Sequence, residues 1–150
     1  MLLKDPYRYD KLVSNQADKP CIVIGEMALI RNGLTSLLTD RLQLSTLFTD
    51  ITGLYNPIAT WYFSPWAKTY DYTSNVSGYK ILNPTKERAI IEYIIFKDYF
   101  NEGILIEGLQ TYLFQMDNNV NKLYEVADWF KIQRSLVDYW IKEALEDDYT

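Results

Sequence analysis

VSGYKILNPTKERAIIEYII, residues 76–95, changes its hydrophobic period part-way along. Up to Leu82 the stretch reads as a short strand; from Asn83 the apolar residues recur about every 3.6 positions, with Ile90, Ile91, Ile94 and Ile95 in one stripe. Asn83 suits an N-cap and Pro84 the first helical position, where a missing N–H costs nothing. Glu87 and Arg88 then stand side by side in the second turn. A carboxylate near a helix start is favoured by the helix dipole, and an arginine there can bridge to a neighbouring element or a backbone carbonyl. The pair reads as a structural motif, with a cost of about 1–3 kcal/mol expected for Arg88→Ala if its partner is buried.

Downstream of this point the chain is helical. Leu105, Leu109, Tyr112, Leu113 and Met116 form a second stripe ending at Asp117-Asn118-Asn119, with its start blurred by Gly103 and Gly108. Asn119 caps a third helix carrying Leu123, Tyr124, Ala127 and Phe130. A fourth opens at Gln133 or Ser135 and turns Val137, Trp140, Ile141, Ala144 and Leu145 inward.

Upstream the pattern is strand-rich. CIVIG (21–25) is a short buried strand, and EMALIRN (26–32) a two-turn helix closed by Gly33 in the left-handed position. RLQLSTLF (41–48) alternates Leu42, Leu44 and Thr46 with Arg41, Gln43 and Ser45, and ATWYFS (59–64), rich in aromatic and β-branched residues, should pair beside it. PWAKTYDYTSNVSG (65–78) reads as a loop or an irregular hairpin. The expected architecture is α+β: a small mixed sheet in the first half packed against a C-terminal group of about four helices. The single domain divides into an N-terminal extension (1–19), a strand-rich subdomain (20–82) and a helical subdomain (83–150).

Composition removes most chemistry. The 150 residues contain no histidine and one cysteine, so histidine-based catalysis, histidine-ligated zinc and an internal disulfide are all ruled out for this chain. Cys21, in an apolar run before a glycine, reads as core. No Walker A or G-x-G-x-x-G sequence is present. Neither a secretion signal nor a membrane span is legible, which points to the cytoplasm. No catalytic residue, cofactor or metal is assigned, and the chain is expected not to be an enzyme.

Three motifs in order resemble the antitoxins of abortive-infection E systems, a type IV toxin-antitoxin class. GEMALIRNGLT (25–35) is similar to that family's small-x-A-L-x-x-x-G-L-T stretch through Ala28, Leu29, Gly33, Leu34 and Thr35. GYKILNPTKERAIIEYI (78–94) resembles its strand, proline and E-R-A helix through Pro84, Glu87, Arg88, Ala89 and Glu92. The segment from Val120 to Glu146 resembles its terminal helix pair through Leu123, Ala127, Leu145 and Glu146. The likeness covers roughly residues 20–147 and implies the C-terminal antitoxin domain without the winged helix that usually precedes it. It further implies an antitoxin-like function in phage defence or mobile-element maintenance, with a nucleotidyltransferase-like toxin as the protein it counteracts. The toxin's own signature, G-S followed by spaced aspartates, is missing here.

The terminal segment also carries a rival reading. Ala127, Ile132, Val137 and Trp140 stand at the internal spacings of a helix-turn-helix, so residues 119–145 could serve a small transcriptional regulator. The turn position usually held by glycine is Lys131, and residues 119–150 carry 4 basic against 7 acidic side chains. A phosphate-binding surface needs the opposite balance, so DNA binding by this chain is not expected. Residues 1–100 hold 11 basic and 10 acidic side chains and residues 101–150 hold 4 and 10, giving +1 and −6. Asp138, Lys142, Glu143 and Glu146 fall outside the inner stripe of the last helix and are the candidate partner-binding residues, suited to a basic protein.

Overall fold

The computed structural model describes residues 7–17, 19–36, 39, 41–48, 58–68, 71–77, 80–115 and 119–146. Its frame is a five-stranded mixed sheet in the order β3-β2-β1-β5-β4; among the described residues one α-helix precedes the first strand, one follows it, and four come after the last strand. The strands are β1 (Cys21–Ile24), β2 (Leu42–Thr46), β3 (Ala59–Phe63), β4 (Thr73–Ser77) and β5 (Ile81–Pro84). The helices are α1 (Asp10–Ala17), α2 (Gly25–Arg31), α3 (Lys86–Ile95), α4 (Glu102–Gln115), α5 (Val120–Trp129) and α6 (Arg134–Glu146). The expected α+β class, with its mixed sheet and C-terminal helices, is what the chain adopts.

Central β1 runs antiparallel to β2 and parallel to β5, with Val23 opposite Leu44 and Cys21 opposite Ile81. β3 lies parallel beside β2, Trp61 facing Leu44, as its aromatic composition suggests. Alternation sorts the side chains into two layers. Cys21, Val23, Leu42, Leu44, Ala59, Trp61 and Ile81 join the main core, whereas Ile22 and Leu82 form a smaller cluster with Ala67. The main core continues without a break into Ala89, Ile90, Leu105, Leu109, Leu123, Ala127, Val137 and Trp140, so sheet and helices share one interior. Cys21 is a buried free thiol whose pKa burial pushes up to about 11.

The junctions explain themselves locally. α2 ends as expected, with Gly33 at φ +70° and the Leu34 N–H donating to the Leu29 carbonyl. Gly25, at the β1–α2 joint, also has φ +70°, and a Cβ there would lie 2.9 Å from Phe100. Gly108 stands inside α4, where a Cβ would meet Leu29 at 3.3 Å, so its missing side chain lets two helices approach.

Several expectations shift. Asn83 is no helix cap: it belongs to β5, and its side chain accepts from Arg31 and donates to Asn75 across the sheet. Pro84 ends the strand opposite Thr73, where its lack of an N–H is tolerated, and Thr85 is the cap, its hydroxyl accepting from the Arg88 N–H. Sheet therefore gives way to helix at residue 85 rather than between 82 and 83. The 65–78 stretch contains a short 3-10 turn, Pro65–Lys68, and strand β4, which pairs irregularly with β5. Leu145 is 56% exposed, because α6 buries only Val137, Trp140 and Ala144 fully and leaves Leu145 on the solvent side. Residues 10–17 of the segment read as an extension form α1, anchored by the buried Asp10–Arg31 ion pair at 2.6 Å. Met116, Asp117, Asn118, Gly78 and Tyr79 lie outside the described residues.

Candidate functional site

The candidate partner-binding residues depend on how α5 and α6 are joined. Asn119 caps α5, accepting from the Lys122 N–H at 3.2 Å. At the other end the chain turns through Lys131 at φ +60°, with Ile132 N–H reaching back to the Ala127 carbonyl at 2.8 Å. This is the left-handed helix ending that glycine normally provides, here formed by a lysine at a conformational cost of about 1–2 kcal/mol. The turn sets α6 against α4, where Gln110 donates to the Ala144 carbonyl at 3.0 Å.

α6 then sorts its residues as its period demands. Val137, Trp140 and Ala144 are buried, Asp138, Lys142 and Glu146 are exposed, and Glu143 is half-buried. Asp138 accepts from the Tyr124 hydroxyl, tying the outer surfaces of the two helices together. Tyr139 donates to Glu143, and this bond, with Glu143 and Glu102 nearby, holds the phenol above its ordinary range. Arg134 donates twice to Asp128, at 2.6 and 3.2 Å, which lowers the pKa of that carboxyl. The residues singled out from sequence thus share one helix but do not converge on a pocket.

Beside them lies a feature that sequence reasoning missed. Ile132, Gln133, Ser135, Leu136 and Tyr139 line an open groove of about 510 Å³. Part of its signal was present as Leu136 and Tyr139, three apart on α6 beside the buried stripe of Val137, Trp140 and Ala144; Ile132 lies before the helix.

Glu87 and Arg88 part company in space. Tyr112 holds Glu87, its hydroxyl 2.8 Å from Oε2, and the same hydroxyl accepts from the Asn119 N–H at 3.3 Å. Arg88 is fully buried, donating from Nε to Glu92 at 2.6 Å and from Nη1 to the Asp71 carbonyl at 2.5 Å. Trp129 and Phe130 sit against its guanidinium at 5.4 and 5.3 Å. Trp66 and Tyr72 complete this aromatic cluster, so these two rings of the 65–78 stretch pack on α5. Burial raises the carboxyl pKa of Glu92, an effect that Arg88 and Ser45 partly offset. Both residues are inaccessible, and their geometry is that of a clamp joining α3 to the backbone carbonyls of Trp66 and Asp71.

No model of a known protein family matches the chain, and no curated protein matches it. Among the described residues no helix is long and apolar enough to cross a membrane, and no group of three or more cysteine and carboxylate side chains is placed to hold a metal ion.

Proposed function

We propose that this chain is a non-enzymatic, antitoxin-like protein of the abortive-infection E type, counteracting a nucleotidyltransferase-like toxin through the outer face of α5 and α6. The observation that carries the reading is the separation on α6: a buried stripe serves the core, while Asp138, Lys142 and Glu146 are left to solvent beside the half-buried Glu143. The motif positions behind the resemblance fit the same division of labour. Ala28, Leu29, Leu34, Arg88, Ala89, Glu92, Leu123 and Ala127 are buried and serve the fold, whereas Leu145 and Glu146 of the same motifs lie exposed on α6. A protein that handles nucleotides presents a basic surface, and an acidic helix steers toward it or covers it.

Co-expression with the product of the adjacent gene tests the reading, with growth rescue and co-purification as the two measurements. A variant reversing Asp138, Glu143 and Glu146 to lysine should keep its fold, with the unfolding midpoint lowered by no more than about 10 °C, because Asp138 and Glu146 are exposed, Glu143 is half-buried, and surface charges contribute about 1 kcal/mol or less each. Its association rate should fall by about tenfold or more, and the parent's rate should drop with added salt. Rescue unchanged by the triple reversal, with a salt-independent rate, would remove the acidic face from the mechanism.

The left-handed turn at Lys131 favours the helix-turn-helix reading as the alternative. Against it, Arg134 at the start of α6 is paired with Asp128, and Asp138 lies one turn further along. DNA binding is therefore expected to be absent at physiological ionic strength in an anisotropy titration. Sequence-specific binding that vanishes in Arg134→Ala would install the alternative.

A further inference from the structure

We infer that the polar cavity between the end of α2 and α4 is a binding site for a primary ammonium group carried on a short alkyl chain. Gly33, Leu34, Thr35 and Ser36, with Glu107 and Thr111 of α4, line this pocket of about 260 Å³, which shares no residue with the α5–α6 face. Its hydrogen-bond donors are largely spent within the protein. The Gly33 N–H reaches the Ile30 carbonyl at 3.0 Å and the Leu34 N–H the Leu29 carbonyl at 2.9 Å, closing α2. The Thr35 hydroxyl donates to Glu107 Oε1 at 3.0 Å, and the Thr111 hydroxyl to the Glu107 carbonyl at 3.1 Å. A hydroxyl has one proton, so what these groups can still offer a ligand is lone pairs. The charge among them is negative: Glu107 is half-buried and forms no ion pair among the described residues. A carboxylate drawn partly out of water gains from a counter-charge, which here the chain leaves to a ligand.

The pattern of acceptors selects the cation. Calcium takes its many oxygens largely from several carboxylates, and this lining has a single one. A quaternary ammonium is held by aromatic faces, and no ring lines the pocket. A guanidinium forks onto both oxygens of a carboxylate, but Oε1 already accepts from Thr35. An alkylammonium is a compact charge with three donors that need separate acceptors. Glu107 Oε2, the Thr111 hydroxyl oxygen and the Ser36 hydroxyl are acceptors of that kind on three sides of the lining. The volume equals the share of roughly nine water molecules in the liquid, enough for the charged head and a short chain but not for a large ligand.

The test is a titration of the isotope-labelled full chain at constant ionic strength, followed by amide chemical shifts, with butylammonium, butanol, tetramethylammonium and magnesium chloride. Butylammonium should shift Gly33, Leu34, Thr35, Ser36, Glu107 and Thr111 together and saturably. Butanol lacks the charge and tetramethylammonium lacks N–H donors, so each should bind about tenfold more weakly or worse. Glu107→Gln keeps an oxygen for Thr35 at unchanged size, and Thr111→Val keeps the shape of the side chain while removing its oxygen. Both should fold, with butylammonium weakened about tenfold or more in the first and severalfold in the second. A lysine blocked at its α-amino and carboxyl groups separates the sources of the ligand. Binding equal to that of butylammonium supports the site with a protein's lysine side chain as its ligand; binding of butylammonium alone supports it with a free amine. Shifts scattered over other acidic surfaces, equal binding of butanol, tetramethylammonium or magnesium, or butylammonium binding untouched by Glu107→Gln and Thr111→Val would each overturn the assignment.

Discussion

Replacing Arg88 by alanine is expected to destabilise the protein by about 3–5 kcal/mol, lowering the thermal midpoint by about 6–20 °C. The reason is what the substitution leaves behind. Arg88 and Glu92 are both fully buried and 2.6 Å apart, so the variant strands a carboxylate inside the core and frees the Asp71 carbonyl as well. This exceeds the about 1–3 kcal/mol expected from sequence for a buried partner, because the partner is a fully buried carboxylate. The loss should also depend on pH. Burial already holds the Glu92 pKa above the ordinary carboxylate range, and without Arg88 nothing cationic offsets it. A carboxyl raised in the folded state binds more protons there than in the unfolded chain, so its stability contribution is full below the unfolded value and lost as pH rises through the folded one. The difference between variant and parent, measured by urea unfolding, should therefore be smaller at about pH 5 than at about pH 7. Arg88→Met combined with Glu92→Leu should recover much of the loss, since neither charge is then left alone. Full stability in Arg88→Ala would show that the clamp is dispensable.

Gly25→Ala is the second large effect expected, and it needs no charged group. At φ +70° any side chain strains the backbone by about 1–2 kcal/mol. The added carbon would also lie 2.9 Å from Phe100 Cζ and 3.1 Å from Gln43 Oε1, an overpacking that costs about 1–3 kcal/mol more. Phe100 cannot retreat freely, because it packs on Tyr93 at 5.0 Å between ring centroids. Adding Phe100→Leu should relieve the contact and leave the backbone strain, so the double variant should recover only part of the loss. A midpoint unchanged in Gly25→Ala would mean that the β1–α2 joint reshapes at no cost.

These two positions also show where sequence reading succeeds and where it stops. Apolar periodicity located β1 to β3 and α2 to α6 because each buries a face against the core, and burial is what periodicity records. β4 left no such trace: Thr73, Ser74, Asn75 and Val76 form an edge strand with Val76 59% exposed, so no inner face was imprinted on it. α1 is similarly faint, burying Asp10, Val13 and Ser14, of which only Val13 is apolar. Asn83-Pro84 misled because the residues that open a helix also suit the end of a strand; the choice was made by Asn75 on the neighbouring strand and by Arg31, far off in the chain. The i, i+4 spacing of Arg88 and Glu92 was visible, but their burial came from Trp66, Trp129 and Phe130, which no local pattern brings together. On α6 the exposed acids followed from the buried stripe, whereas the groove needed the Lys131 turn to bring Ile132 beside Leu136 and Tyr139.

The strand order β3-β2-β1-β5-β4 sets a timetable for synthesis. β1 finds its antiparallel neighbour β2 soon after both leave the ribosome, but its parallel neighbour begins at Ile81, opposite Cys21. At about 5–20 residues per second that interval lasts about 3–12 s, during which the most apolar strand of the sheet has one edge open. Arg31 waits equally long for Asn83, and the main core waits longer for α3 to α6. A nascent chain halted before Ile81 would expose a sticky half-sheet to aggregation or proteolysis.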